Sequence, residues 1–219
     1  MSEPLKYKGR PVPYIAAWSG ETVQQPSLIA MGEGVAYAGP TPGRSSDGVL
    51  WQLWGLKPRA GEPLWKQVHG PRQRRAMRKF LCQVCGGPAD RNEQGWLWLL
   101  EDDRAEGAKW PNGHMTVHPP VCLPCAPLAA RLCPHLRRRG AVPVRIGDVI
   151  LDGVYGQRYY TGPPGLGMLE GEKDVFLMGN WRAKWVVGGQ LAASLSKCTV
   201  LDPAEVGIET PAARAAVRR

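Results

Sequence analysis

The feature that most constrains this chain is a double pair of cysteines. Cys82-Gln-Val-Cys85 is followed by Gly86-Gly87, and beyond residue 121 comes Cys122-Leu-Pro-Cys125. Zinc takes four soft ligands at tetrahedral angles, with each sulfur about 2.3 Å from the metal. Two residues between cysteines let one tight turn aim both sulfurs at a single point. The two glycines can take positive φ angles, which curl the backbone so that its amides face the thiolates. The spacing predicts that Cys82, Cys85, Cys122 and Cys125 hold one structural Zn2+. Four thiolates fill the shell, whereas a catalytic zinc keeps one position open to water. Redox chemistry of the thioredoxin kind needs one pair in a βαβ setting, not two pairs.

The pairs differ in context. The first is a knuckle in a turn. After the second, Leu128 with Leu132 and Ala129 with Cys133 are helix-spaced, and Pro124 and Pro127 suit a first helical turn, where no amide donor is needed. Between the pairs, Gly95 to Leu100 reads as a strand, with Met115 to His118 as its partner. Knuckle, hairpin and helix resemble a treble clef over about residues 80–136. The arrangement is also similar to the zinc-stabilised core of HNH-type endonucleases, which place a catalytic Asp-His pair on the hairpin strand after the knuckle. Here that strand reads Gly-Trp-Leu-Trp-Leu-Leu, and His114 and His118 come later. The resemblance implies the scaffold without the cutting site. With Trp18-Ser-Gly-Glu21, Arg72-Gln-Arg-Arg75, Leu81-Cys-Gln-Val-Cys-Gly-Gly-Pro-Ala89 and Pro119-Pro-Val-Cys-Leu-Pro-Cys-Ala126, the whole chain resembles a group of four-cysteine zinc-binding proteins from high-GC actinobacteria such as Streptomyces. That resemblance implies a bacterial, cytoplasmic setting and no particular activity.

The formal net charge is +9, mostly from arginine. Such an excess favours polyanions, DNA or RNA, through phosphate contacts and counterion release. A high-GC genome also enriches arginine, and nine Trp against two Phe fits that bias. The candidate phosphate contacts form two clusters, Arg72, Arg74, Arg75, Arg78 and Lys79 before the cysteines and Arg137, Arg138 and Arg139 after them. They make either one positive face or two separate solvated surfaces. No stretch reaches 18 apolar residues, so no membrane partner is expected, and the polar start lacks a signal core. The expectation is a cytoplasmic protein.

The 27 glycines and 21 prolines cut the 219 residues into short pieces, which favours strands and turns. The expected class is α+β, mainly β, with an embedded treble-clef-like zinc module. Residues 1–63 read as a β-rich segment, with apolar runs at 12–18, 34–38 and 49–54. Residues 64–140 hold a basic helix within 64–81, with Pro71 in its first turn, and the cysteine module. Residues 141–202 return to β and pack with the N-terminal part, and 203–219 form a tail, helical or frayed. In the third segment, 142–146 and 149–154 are strands, Val175 to Val187 is a hairpin turning at Gly179-Asn180, and Gln190 to Ser196 suits a short helix.

Other residues carry two readings each. Cys133 and His135 either extend the metal site or are a helix-face thiol and its neighbour. Cys198 reads as core. Trp181 and Trp185, with Ala183 between, form a sheet core under Arg182 and Lys184, or a stacking platform for single strands. Glu101, Asp102, Asp103 and Glu106 hold a hard cation or form a solvated loop. Tyr155, Tyr159 and Tyr160 lie near an irregular loop, Gly162 to Gly167. No Ser-His-Asp set, carboxylate dyad or nucleotide loop is legible. The functional expectation is a zinc-stabilised, regulatory nucleic-acid-binding protein. The alternatives are a protein-interaction or assembly module, and an enzyme whose site the sequence does not display.

Overall fold

A computed structural model describes residues 3–55, 57–107, 109–163 and 167–209. In chain order the strands are β1 (Leu5–Tyr7), β2 (Arg10–Val12), β3 (Ala16–Trp18), β4 (Val23–Gln24), β5 (Leu28–Met31), β6 (Gly34–Tyr37), β7 (Leu50–Trp51), β8 (Leu53–Trp54) and β9 (Pro63–Val68). Helix α1 (Gly70–Arg78) follows, then β10 (Arg91–Asn92), β11 (Gly95–Glu101) and β12 (Met115–Thr116). Helices α2 (Ala126–Leu132) and α3 (Pro134–Arg139) precede the long strands β13 (Ala141–Thr161), β14 (Met168–Leu177) and β15 (Val186–Val200). The class is α+β with strands dominant, as the glycine and proline spacing implied.

The chain forms two compact units, and neither is continuous in sequence. The first comprises Met1–Ile15, Arg75–Ile150 and Ser194–Arg219, and the second Ala16–Arg74 and Leu151–Ala193. Strands β13 and β15 each run through both units.

In the first unit β11 lies between β10 and β13, and β15 follows, with β12 beside it. The register of β11 on β13 is antiparallel, from Trp96 opposite Ile146 to Glu101 opposite Ala141. Leu97, Trp98, Leu99 and Leu100 are all buried, so β11 is covered on both faces. That explains one departure from the sequence reading. A strand buried on both faces needs a long partner, and Val142 to Ile146 supplies it. Met115–Thr116 instead joins β15, where Leu195 N donates to His114 O at 3.0 Å.

In the second unit β3 pairs with β9, β4 with β8 and β5 with β6, all antiparallel. Here β14 pairs with β13, and β7 runs parallel to β15. Val49, Val154, Phe176, Ala183 and Val186 make one buried cluster, and Val35, Tyr37, Leu50 and Val187 another.

Residues 63–68 form a strand paired with β3, and the helix expected within 64–81 runs from Gly70 to Arg78 with Pro71 in its first turn. Two further expectations are corrected. Asn180 does not turn a hairpin. Its side chain accepts from Arg182 N at 2.9 Å and caps a 3-10 turn over Trp181–Trp185, so the two tryptophans share no strand. Gln190 to Ser196 lies in β15, where Leu191, Ala192, Ala193 and Leu195 are buried, a two-sided burial that mimics helical periodicity. The tail begins with a capped 3-10 turn, Pro203–Val206, and its residues 210–219 lie outside those described, as do 164–166 of the Gly162 to Gly167 loop.

Candidate metal centre

The knuckle forms where α1 ends. Cys82 N donates to Gly87 O at 2.7 Å and Gly86 N to Cys82 O at 2.8 Å, closing a tight turn. Gly86 sits at φ +75°, and a Cβ there would meet the Tyr14 ring at 2.6 Å. Glycine is therefore required twice, for the left-handed backbone and for the closeness of the ring. Gly87, expected to share the positive φ, is not among the described glycines that have one, and its carbonyl accepts the Cys82 bond. The segment before β3 covers the turn, with Tyr14 N donating to Val84 O at 2.9 Å.

The second pair begins a helix. Cys122 is the cap of a 3-10 turn, Leu123–Cys125, that continues into α2, and Pro124 and Pro127 occupy first-turn positions. Two hydrogen bonds fix it beside the knuckle. Gln83 N donates to Pro120 O at 3.0 Å, and Val121 N donates to Leu97 O at 2.9 Å on β11.

The result is a cluster of four thiols, Cys82, Cys85, Cys122 and Cys125, whose sulfurs all lie within 4.8 Å of one another. Cys85 and Cys122 Sγ are 3.8 Å apart. A tetrahedron with sulfur ligands at about 2.3 Å has edges of about 3.8 Å, and a disulfide would need about 2.05 Å. All four cysteines are free thiols. Val84 N donates to Cys82 Sγ at 3.4 Å, the outer-shell bond that such turns supply. Cys82 and Cys125 are buried, and Leu97, Leu99, Val121, Ala126 and Leu136 pack around them. The donor set and spacing fit a metal ion.

In the absence of a metal, Cys82 and Cys125 hold their protons more tightly than an ordinary thiol. The hydrogen bond with Cys122, then burial, raises Cys82 above the usual thiol range. Burial, with the neighbouring Cys82, pushes Cys125 up to about 12. A bound cation reverses this preference, so loading releases protons.

Cys133 packs against the same apolar core but stands outside the four-thiol group. His135 is exposed, with Nδ1 3.6 Å from Glu101 Oε1. Cys198 is half-buried in β15, its Sγ 3.7 Å from Pro111 O.

The basic residues separate by their surroundings. Arg72 is committed in the second unit, where its Nη atoms bind Glu21 at 2.5 and 2.7 Å and Ala16 O at 2.5 Å. Arg74 lies 4.4 Å from the Trp51 ring centre. Arg139 pairs with Glu101 at 2.9 Å and Asp103 at 3.3 Å. Those pairs, with Asp102 bound to Arg104, turn the acidic patch inward to cations; the Glu106 side chain lies outside those described. Arg75, Arg78, Lys79, Arg137 and Arg138 are exposed in the first unit, and Arg75 donates to Tyr14 Oη at 2.9 Å.

Sequence reasoning missed the buried group Glu21, His69 and Arg72. His69 Nδ1 accepts from Arg72 N at 3.3 Å, and the Trp54 ring centre lies 4.5 Å away. Burial acts to raise the Glu21 carboxyl, but bonds from Arg72 and the Arg59 amide outweigh it and hold it at about 2. Burial, then the Arg72 charge, lowers His69 to about 4. Glu21 stands between Gly20 and Thr22 in a polar stretch that gives no sign of burial. Sequence reasoning also missed the stacking of Phe80 on Trp96, rings 4.6 Å apart and 9° from parallel.

No protein-family model matches the chain, and neither the curated proteins nor the solved structures contain a significant match.

Proposed function

We propose that the four thiols hold one Zn2+ as the structural centre of a treble-clef-like module, and that this module presents cations to nucleic acid in a regulatory role. The observation that carries the reading is the position of the exposed cations in the chain. Arg75, Arg78 and Lys79 lead directly into the knuckle, and Arg137 and Arg138 close the helices that the second pair begins. A metal fixing both pairs would hold both clusters in place. The net charge of +9 supplies long-range attraction to phosphate. The zinc has no catalytic part here, since four thiolates leave it no open position. The test is an anisotropy titration with labelled DNA and RNA at about 50 mM salt, repeated upward in salt; affinity should fall steeply. No binding at low salt rejects the reading.

A protein-binding role is favoured by one observation. Trp181 is 60 % exposed, with the Arg158 and Arg182 guanidiniums 5.6 and 5.7 Å from its ring centre. Exposed Trp and Arg together are typical interface anchors. Stable co-purification of a protein, with indifference to nucleic acid, would select this reading.

A further inference from the structure

Beyond the metal centre, the first unit has a groove of about 380 Å3, in the range of small-molecule sites. Phe80, Trp96, Ser196 and the segment 147–150 line it. One wall is the parallel Phe80–Trp96 pair, with Trp98 edge-on to Phe80 at 6.2 Å. Ile150 is 59 % exposed at the lining.

The wall is built on strained backbone. Leu81 N donates to Ala76 O at 2.9 Å, the wrap that closes a helix, and it leaves Phe80 at φ +48°. Glycine normally takes that left-handed position, because a side chain there crowds the carbonyl. Lys197, which follows the lining residue Ser196, is at φ +51°, and its Nζ is 3.0 Å from the Asp148 carboxylate. Strain of this kind gathers at binding sites.

The rim is cationic. The Arg91 guanidinium lies 5.1 Å from the Trp96 ring centre, and exposed Arg78 and Lys79 immediately precede Phe80. The Asp148 charge is met by Lys197. A planar group with apolar faces and a hydrogen-bonding edge suits the aromatic wall, the Asp148 carboxylate and the Ser196 hydroxyl. A neighbouring anion suits the rim. A nucleotide has both parts, whereas an apolar peptide would leave the cations unused.

We propose that this groove seats an unpaired nucleobase, so that the nucleic acid bound is single-stranded, an inference that rests on the nucleic-acid reading above. Bases in a duplex are stacked and paired with one another and cannot enter without being extruded. Stacking on aromatic rings is tolerant of sequence, so the site grips single strands generally.

The test compares a labelled thymidine strand of roughly 12 nucleotides, an abasic strand with the same number of phosphates, and a duplex, by anisotropy at about 50 mM salt. The thymidine strand should bind about tenfold or more tighter than the abasic one. Trp96→Ala should erase that difference, Trp96→Phe should keep most of it, and the salt dependence should stay the same. Ile150→Glu changes an exposed position and should also erase the difference, so the test stands even if Trp96→Ala does not fold. Equal binding of the base-bearing and abasic strands overturns the groove and leaves the phosphate reading intact. Binding of neither overturns both. A preference that survives Ile150→Glu, or disappears with Trp181→Ala instead, also overturns the assignment.

Discussion

Arg72 grips Glu21 with both ends of its guanidinium, Nη1 on Oε1 at 2.5 Å and Nη2 on Oε2 at 2.7 Å. The Glu21 side chain is 1 % exposed and the Arg72 side chain 11 %. Removing one partner of such a pair strands a charge away from water. Arg72→Ala should destabilise the protein by about 3–5 kcal/mol, whereas Arg138→Ala, at an exposed site, should change it by less than about 0.5 kcal/mol. Urea unfolding of the two variants makes the comparison.

His69 sets a pH window. Its folded pKa of about 4 lies below its ordinary 6.5, so the unfolded chain binds more protons between those values. Stability is therefore complete above pH 6.5 and falls as pH drops toward 4. Glu21, held at about 2 against an ordinary 4.5, adds a second loss below that. His69→Gln cannot titrate and should flatten the stability curve between pH 6.5 and 4. The expected difference is on the order of 2–3 kcal/mol. Urea unfolding at several pH values will show whether the two curves converge as acid is added.

Metal analysis should find about one zinc per chain. Cys85→Ser or Cys122→Ser should lose it, and a strong chelator should lower the melting temperature of the native protein while leaving that of the variants unchanged. Full zinc content in both variants refutes the ligand assignment.

Gly86→Ala puts a methyl group against the Tyr14 ring at a φ of +75°. The left-handed backbone alone costs a side chain about 1–2 kcal/mol, so this small change should destabilise by at least that much and weaken metal retention. Combining it with Tyr14→Ala removes the clash and should restore part of the loss. Thermal melting of the single and double variants reads this directly.

Replacing Arg75, Arg78 and Lys79 together with Gln should reduce the steepness of log K against log salt by about 2, near 0.7 per phosphate contact on single strands. Arg139→Gln should leave that slope almost unchanged, because Arg139 is bound to Glu101 and Asp103. Binding isotherms at four or five salt concentrations are sufficient.

The metal centre was legible because a C-x-x-C turn is local: its geometry depends on neighbours one to five residues away, and the helix after Cys122 announces itself by spacing. Pairing partners were not legible. β11 was found as a strand, yet its hydrogen bonds go to Ala141–Ile146, a choice made by burial on both faces that no window of the sequence contains. Glu21 and Arg72 are 51 residues apart, with no pattern linking them. Asn180 has the chemistry of a hairpin turn and of a cap, and only the surrounding chain decides between them. Phe80 breaks the rule that glycine follows a helix, so sequence reasoning had no reason to place it on Trp96.

The discontinuity of the two units has a consequence for synthesis. A chain emerging from the ribosome presents all four thiols by residue 125, but β15, which contributes to both units, emerges only with residues 186–200. Metal capture can precede completion of either core, because its ligands are near in sequence, whereas the central strands must wait for a late, distant partner. A bound metal would then act as an early clasp on a nascent chain, retaining the knuckle and the α2 turn while β13 and β15 are still being made.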